Sequence, residues 1–202
     1  MCSESYRERG SNMGRIEVED LPFDGLKLIR TEQFEDQRGD FREVYQEAAY
    51  QAKGIACRFV QDNQVRSRGQ VLRGLHFQKK FPQEKLIWVS RGKIYDVTVD
   101  LRPASETYGK WFGCVLSEEN GLQLFIPRGF AHGYLTLSEE TQIYYKCSEF
   151  YHPQDEGGIR WDDETLDIAW PVREGQELLL SKKDQNWPDL LTYERLRKEE
   201  EV

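Results

Sequence analysis

The feature that most constrains the fold is a series of short strand-like segments between Cys57 and Phe150, separated by clusters of turn residues. The segments recur about every 8–12 residues, a spacing typical of sandwiches and barrels. In residues 95–101 apolar side chains alternate with Asp or Thr, which is the period of a strand. We therefore predict an all-β fold with strands at Cys57–Gln61, Val71–Gln78, Leu86–Ser90, Ile94–Leu101, Trp111–Leu116, Leu122–Pro127, Phe130–Leu137 and Thr141–Phe150.

The rest of the chain is expected to flank one domain, because 202 residues with 38% hydrophobic content suit a single core. Residues 1–14 are polar and aperiodic and are predicted to be a disordered leader. A short helix is predicted at 46–53, and 161–188 should cover the barrel. We assign 15–188 to the single domain and 189–202 to a charged C-terminal helix or tail.

Charge and cysteine usage exclude several classes of protein. A formal net charge of −8 disfavours binding to nucleic acid or to anionic membranes. The four cysteines form no C-x-x-C pair, so we expect free thiols in a reducing compartment. No signal peptide or membrane-spanning run is recognisable, and a cytoplasmic protein is predicted.

Histidine is scarce: the chain has only His76, His132 and His152. They form no H-x-H pair and lack metal-ligand spacing, so no metal is predicted. His76 lies in a strand-like segment on the same face as Gly74 and Gln78. From the pattern alone His76 is either a packed, hydrogen-bonded histidine or an acid–base group in a polar cavity.

Two strands raise questions of side-chain direction. In one, Tyr145 shares a face with Ile143 and Cys147 and should point inward, whether as core packing or as a general acid. In the other, Arg73 and His76 have opposite parity in a regular strand. A cavity shared by both would require Gly74 to interrupt the ladder.

Phosphate binding is not encoded by a glycine-rich loop, since neither G-x-x-x-x-G-K-[ST] nor G-x-G-x-x-G occurs. Any phosphate would have to be held by side chains. Candidates near turns and strand ends are Arg38, Arg73, Lys85 and Lys183, each of which could equally be an ordinary surface cation.

A set of motifs in fixed order resembles the dTDP-4-dehydrorhamnose 3,5-epimerase family of the cupin superfamily. The resemblance covers about residues 26–188, and its motifs are Arg38–Glu43, Phe59–Asn63, Val71–Gln78, Lys85–Leu86, Asp96–Arg102, Ile126–Gly133, Tyr145–Lys146, Trp161–Asp163 and Ser181–Asp184. The resemblance implies a cupin-type double-stranded β-helix, or jelly-roll barrel, with short flanking helices. It also implies a cofactor-independent isomerase that acts as a homodimer on a dTDP-4-keto-6-deoxy sugar.

The same resemblance implies roles for individual residues. His76 would be the base that removes protons from C3 and C5, Asp184 would orient its imidazole, and Tyr145 would return a proton from the opposite face. The implied substrate-binding residues, of which the first three belong to a strand exchanged between subunits, are Arg38, Phe41, Glu43, Gln61, Asn63, Arg73, Lys85, His132, Tyr151, Glu156 and Lys183. Two alternatives stay open: a related nucleotide-sugar 3-epimerase, and a non-catalytic cupin that binds a sugar nucleotide.

Overall fold

The computed structural model describes residues 15–200 as thirteen strands, two α-helices and a short 3-10 turn at Asp184–Asn186. The predicted leader 1–14 and the last two residues lie outside the described part. In chain order the elements are β1 (Ile16–Asp20), β2 (Lys27–Thr31), β3 (Gln33–Asp36), β4 (Gly39–Arg42), α1 (Glu47–Ala52), β5 (Gln61–Arg68), β6 (Leu72–Gln78), β7 (Lys85–Arg91), β8 (Lys93–Asp100), β9 (Trp111–Ser117), β10 (Leu122–Ile126), β11 (Phe130–Thr136), β12 (Glu140–Cys147), β13 (Glu156–Gly158) and α2 (Leu190–Glu200).

The strands form two facing antiparallel sheets and one separate hairpin. The six-stranded sheet has the order β1-β2-β10-β7-β12-β5, and the five-stranded sheet has the order β13-β6-β11-β8-β9. Strands β3 and β4 pair only with each other. This arrangement confirms the predicted all-β, cupin-type jelly roll with short flanking helices.

Three apolar clusters hold these layers together. One lies between the sheets and joins side chains such as Ile87 and Leu124 to Ile94 and Leu116. The others cover the outer faces: α1 packs on the six-stranded sheet, and residues from 159 onward pack on the five-stranded sheet. The five-stranded sheet is therefore buried on both faces, as the predicted covering role of 161–188 requires.

Strand β8 shows how that double burial affects its alternating pattern. Its apolar face, with Val97 and Val99, packs under the covering segment against Leu166 and Leu190. Its other face carries Asp96 and Thr98, yet both are fully buried and face the interior between the sheets. Buried polar side chains need hydrogen-bond partners, so the interior next to β8 is a candidate place for a functional site.

The strand predicted at Cys57–Gln61 was wrong. Residues 57–60 form no ladder, and the strand β5 begins only at Gln61. It is an edge strand that pairs only with β12. Its inward side chains include Gln61 and Asn63, which line a cavity, so the apolar alternation that identifies a strand is missing.

The ladder between β6 and β11 is interrupted at Gly74, as a cavity shared by Arg73 and His76 requires. His132 pairs with His76, but the next pair joins Tyr134 to Arg73, so the register shifts between them. Gly74 has a φ of +130°, a region that L-residues rarely adopt. Both Arg73 and His76 consequently line the same cavity.

Replacing Gly74 by alanine should cost stability on the order of 3 kcal/mol, because strain and overlap add. An added Cβ would lie 2.5 Å from the Gly133 Cα and 2.9 Å from the His132 carbonyl oxygen. Gly39→Ala is the matched control: its φ is +126°, and nothing lies within 4 Å of the added atom. We expect G39A to lose on the order of 1 kcal/mol in urea unfolding, and equal losses would contradict the close approach.

Candidate active site

A cavity of about 360 Å³ opens at one end of the space between the two sheets. It brings together all the predicted site residues except Arg38, Phe41 and Glu43. The predicted residues in its wall are Gln61, Asn63, Arg73, His76, Lys85, His132, Tyr145, Tyr151, Glu156, Lys183 and Asp184. These residues come from six strands, from the loop after β12 and from the 3-10 turn, so they meet in one place although no local sequence pattern links them.

The two sheets contribute different groups to opposite walls. The five-stranded sheet supplies Arg73 and His76 from β6 and His132 from β11. The six-stranded sheet supplies Lys85 from β7 and Tyr145 from β12. A molecule between the sheets would have an imidazole on one side and a phenol on the other.

His76 is held by a buried carboxylate. Its Nε2 bonds to an oxygen of Asp184, a residue 108 positions later in the chain. Asp184 opens the 3-10 turn, and the Ser181 hydroxyl donates to its other oxygen at 2.8 Å. Asp184 is 4% exposed and His76 is 28% exposed at the side chain, so the imidazole reaches the cavity while its partner stays behind it.

The charge state of Asp184 determines which imidazole nitrogen carries the proton. Burial alone would raise the pKa of this carboxyl, but the hydrogen bond and charge of His76 and the bond from Ser181 outweigh it and lower the pKa. An ionised carboxylate only accepts hydrogen bonds, so Nε2 of His76 must donate. In the neutral imidazole Nδ1 then holds the lone pair that a general base needs.

His132 has a carboxylate partner that the sequence analysis missed. Its Nε2 lies 2.9 Å from Oδ2 of Asp96, and both side chains are buried. Asp96 sits on the polar face of β8, opposite β11 in the same sheet. The alternating pattern of β8 already placed Asp96 on a polar face, but the polar face of a strand normally points to solvent.

Two basic side chains, Lys85 and Arg73, line the cavity from opposite sheets. Burial lowers the pKa of Lys85, an effect that the nearby Cys147, Asp96 and Glu156 oppose. Such cations in a partly enclosed site stabilise negative charge that develops on a bound molecule.

Tyr145 points inward, as predicted, and its neighbour Tyr144 points outward. Tyr145 lines the cavity, whereas the Tyr144 ring stacks on Trp88 with 5.9 Å between ring centroids. Burial raises the pKa of Tyr145, with a smaller opposing effect from Arg73. The phenol therefore stays protonated at neutral pH and is available as a proton donor.

The rim of the cavity contains a more exposed polar group. The Tyr151 hydroxyl donates to Oε2 of Glu156 at 2.6 Å, and the Lys183 ammonium bonds to the same oxygen. Burial would raise the pKa of Glu156, but these two hydrogen bonds lower it. The rim thus presents an ion pair and an exposed aromatic ring.

The three remaining predicted residues lie on or just after the β3–β4 hairpin, away from the cavity of the same chain. The Arg38 guanidinium contacts Asp36 within the hairpin. The Phe41 ring is 55% exposed and lies 6.5 Å, centroid to centroid, from Phe34. A single chain therefore leaves an apolar hairpin face uncovered.

Within residues 15–200, no helix is long and apolar enough to cross a membrane. In the same part of the chain, no three His, Cys, Asp or Glu side chains are grouped so that they could hold a metal ion. The absence of a cofactor remains a prediction from the sequence.

Known proteins share both the sequence and the fold. A family model described as dTDP-4-dehydrorhamnose 3,5-epimerase matches residues 20–192. The chain is 52% identical over 167 residues to the dTDP-4-dehydrorhamnose 3,5-epimerase of Methanothermobacter thermautotrophicus, covering 83% of this chain and 90% of that protein. It is 44% identical over 176 residues to the Escherichia coli enzyme of the same name, covering 86% and 91%.

A solved structure agrees with the same assignment. The crystal structure of the Legionella pneumophila dTDP-6-deoxy-D-glucose-3,5-epimerase in complex with dTDP-4-keto-L-rhamnose superposes with a TM-score of 0.84 at 43% identity. The match covers 88% of this chain and 94% of that one. With the family model spanning both sheets and the cavity between them, the chain belongs to the dTDP-4-dehydrorhamnose 3,5-epimerase family.

Proposed function

We propose that this chain inverts C3 and C5 of dTDP-4-dehydro-6-deoxy-D-glucose to give dTDP-4-dehydro-L-rhamnose, a step of dTDP-L-rhamnose biosynthesis. The proposal rests on one observation above all: His76, paired with Asp184, faces Tyr145 across a single cavity. Epimerisation needs a base on one side of the sugar and an acid on the other. The names of the relatives agree with this chemistry.

The proposed reaction starts with a C–H bond next to the C4 ketone. His76 takes the proton through Nδ1, and the electron pair of the C–H bond delocalises onto the ketone oxygen as an enolate. Lys85 stabilises that negative charge. Tyr145 then gives its proton to the same carbon from the opposite face, which inverts that carbon. Before the second carbon reacts, His76 releases the abstracted proton to solvent and Tyr145 takes up a proton from solvent.

The test uses purified protein and dTDP-4-keto-6-deoxyglucose in deuterated water, followed by proton NMR of the hexose ring. We expect deuterium to enter at both C3 and C5, with the ring couplings changing to those of the L-sugar. The proposal would be overturned if the proton signals at C3 and C5 both kept their full intensity. Exchange at C3 alone would identify a 3-epimerase, and binding without any exchange would identify a non-catalytic cupin.

We further propose a homodimer in which each β3–β4 hairpin reaches the cavity of the partner subunit. Support comes from the exposed Phe34 and Phe41 on a hairpin that pairs with no other strand of its own chain within residues 15–200. Arg38 and Glu43 would then contact the nucleotide. A cytoplasmic location is inferred from the unpaired thiols of Cys57, Cys114 and Cys147.

Phe41→Ala should raise the KM for the dTDP-sugar on the order of tenfold, because an aromatic contact at an interface is removed. Leu191→Ala is the matched control, since Leu191 is 63% exposed on α2, outside the hairpin. The KM of L191A should match the wild type. An unchanged KM for F41A, or an active monomer in light scattering, would contradict the exchange.

A further inference from the structure

The inner face of β8 and β11 carries a buried polar cluster. Antiparallel pairing places His132 opposite Thr98 and Tyr134 opposite Asp96, so all four side chains face the interior between the sheets. Each is buried; Asp96 and Thr98 are fully enclosed, and Tyr134 is only 5% exposed. Such a cluster needs internal hydrogen bonds or a ligand, because unpaired buried polar groups are costly.

The protein satisfies only part of this cluster. Asp96 and His132 bond to each other at 2.9 Å. The Tyr134 hydroxyl, the Thr98 hydroxyl and the second carboxylate oxygen of Asp96, in contrast, have no hydrogen-bond partner among the described residues. Of these three residues, only Tyr134 lines the cavity. The buried phenol of Tyr50 differs, because its hydroxyl lies 2.9 Å from the Val44 carbonyl oxygen and 2.6 Å from Oε1 of Gln123.

Tyr134 also borders the candidate active site. Tyr134 lines the cavity together with His132, and the centroids of these two side-chain rings are 6.2 Å apart. Arg73 lies opposite it on β6, and Tyr145 and Asp184 are near enough to affect its ionisation. Burial raises the pKa of Tyr134 more than Arg73 lowers it, so the hydroxyl is a donor at neutral pH.

The position of Tyr134 determines which part of a dTDP-sugar it could meet. The rim residue Tyr151 is 46% exposed, whereas Tyr134 belongs to the enclosed inner wall. A diphosphate retains its hydration best at the open rim, since removing charge from water is costly. The hexose, which must reach His76 and Tyr145, then occupies the inner end.

We propose that the Tyr134 hydroxyl donates a hydrogen bond to an oxygen of the hexose and so helps to position the sugar between His76 and Tyr145. This inference rests on the proposed function, because it assumes a dTDP-sugar in the cavity. It assigns to this residue a substrate contact in addition to its packing in the core. The hydroxyl is left without a protein partner because its partner is the substrate.

Tyr134→Phe removes the hydroxyl and keeps the ring. Binding is measured by calorimetry with two probes: dTDP, and a dTDP-6-deoxyhexose that has no ketone and cannot react. We expect the Kd for dTDP to be unchanged and the Kd for the dTDP-hexose to rise about 3- to 15-fold, as for loss of one neutral hydrogen bond. With the true substrate, kcat/KM should fall by a similar factor.

The melting temperature distinguishes a substrate contact from a structural role. Y134F should melt at or above the wild-type temperature, because an unpartnered buried hydroxyl is removed. Tyr50→Phe, which removes a buried hydroxyl that does have protein acceptors outside the cavity, should melt lower and bind both probes normally. Equal affinities of Y134F and wild type for the dTDP-hexose, or a lower melting temperature of Y134F with unchanged affinity, would overturn the inference. A wild-type protein that binds neither probe would instead overturn the proposed function, and the inference with it.

Discussion

His76→Asn should lower turnover by a factor of about 10²–10⁴, the usual contribution of a general base. Asparagine has a similar size and can still donate to Asp184, so the fold around the 3-10 turn should persist. It cannot accept a proton at neutral pH, and deuterium exchange at C3 and C5 should stop together. The measurement is the rate of exchange by NMR, with the melting temperature recorded in parallel.

The third histidine provides the matched control. His152 stacks on Phe81, with 4.2 Å between ring centroids, and is not part of the cavity wall. His152→Asn should therefore exchange at the wild-type rate. Normal exchange by H76N, or an equal loss in H152N, would show that the base has been assigned to the wrong residue.

Tyr145→Phe should separate proton removal from inversion. His76 still removes the proton, so exchange at C3 and C5 should stay within about tenfold of wild type, while inversion falls by about 10²–10⁴. The physical reason is that the six-stranded sheet would no longer offer a proton donor opposite His76. Exchange and epimer content can be followed in the same NMR spectra.

The adjacent residue is the control for this second variant. Tyr144 lies on the outer face of the same strand, where its hydroxyl accepts from the Gln64 and Gln142 side chains at 2.8 Å each. Tyr144→Phe should invert the sugar normally. If Y145F inverts as fast as Y144F, another group must return the proton.

The sequence predicts most strands because burial on one or both faces leaves an alternating or continuous apolar pattern. Strand β5 lacks such an apolar pattern because its inward residues line the cavity and its outward residues are exposed to solvent. Direction within a strand was also predictable: Tyr145 points inward because Ile143 and Cys147 share its face. The interruption at Gly74 followed from requiring Arg73 and His76 in one cavity.

The partners of the histidines could not be derived from local pattern. Asp184 is 108 residues from His76, and only the family resemblance paired them. Asp96 was visible as a polar residue in β8, but its burial depends on the segment that covers the outer face and on the sheet opposite. The unpartnered state of the Tyr134 hydroxyl depends on all the side chains that the fold brings around it, most of which are distant in the sequence.

The central claim is that one base and one acid act from opposite sheets. The most direct test is the ratio of deuterium incorporated to sugar inverted, measured for wild type, H76N and Y145F in deuterated water. We expect coupled exchange and inversion in the wild type, loss of both in H76N, and exchange without inversion in Y145F. Loss of both in Y145F together with continued exchange in H76N would contradict it.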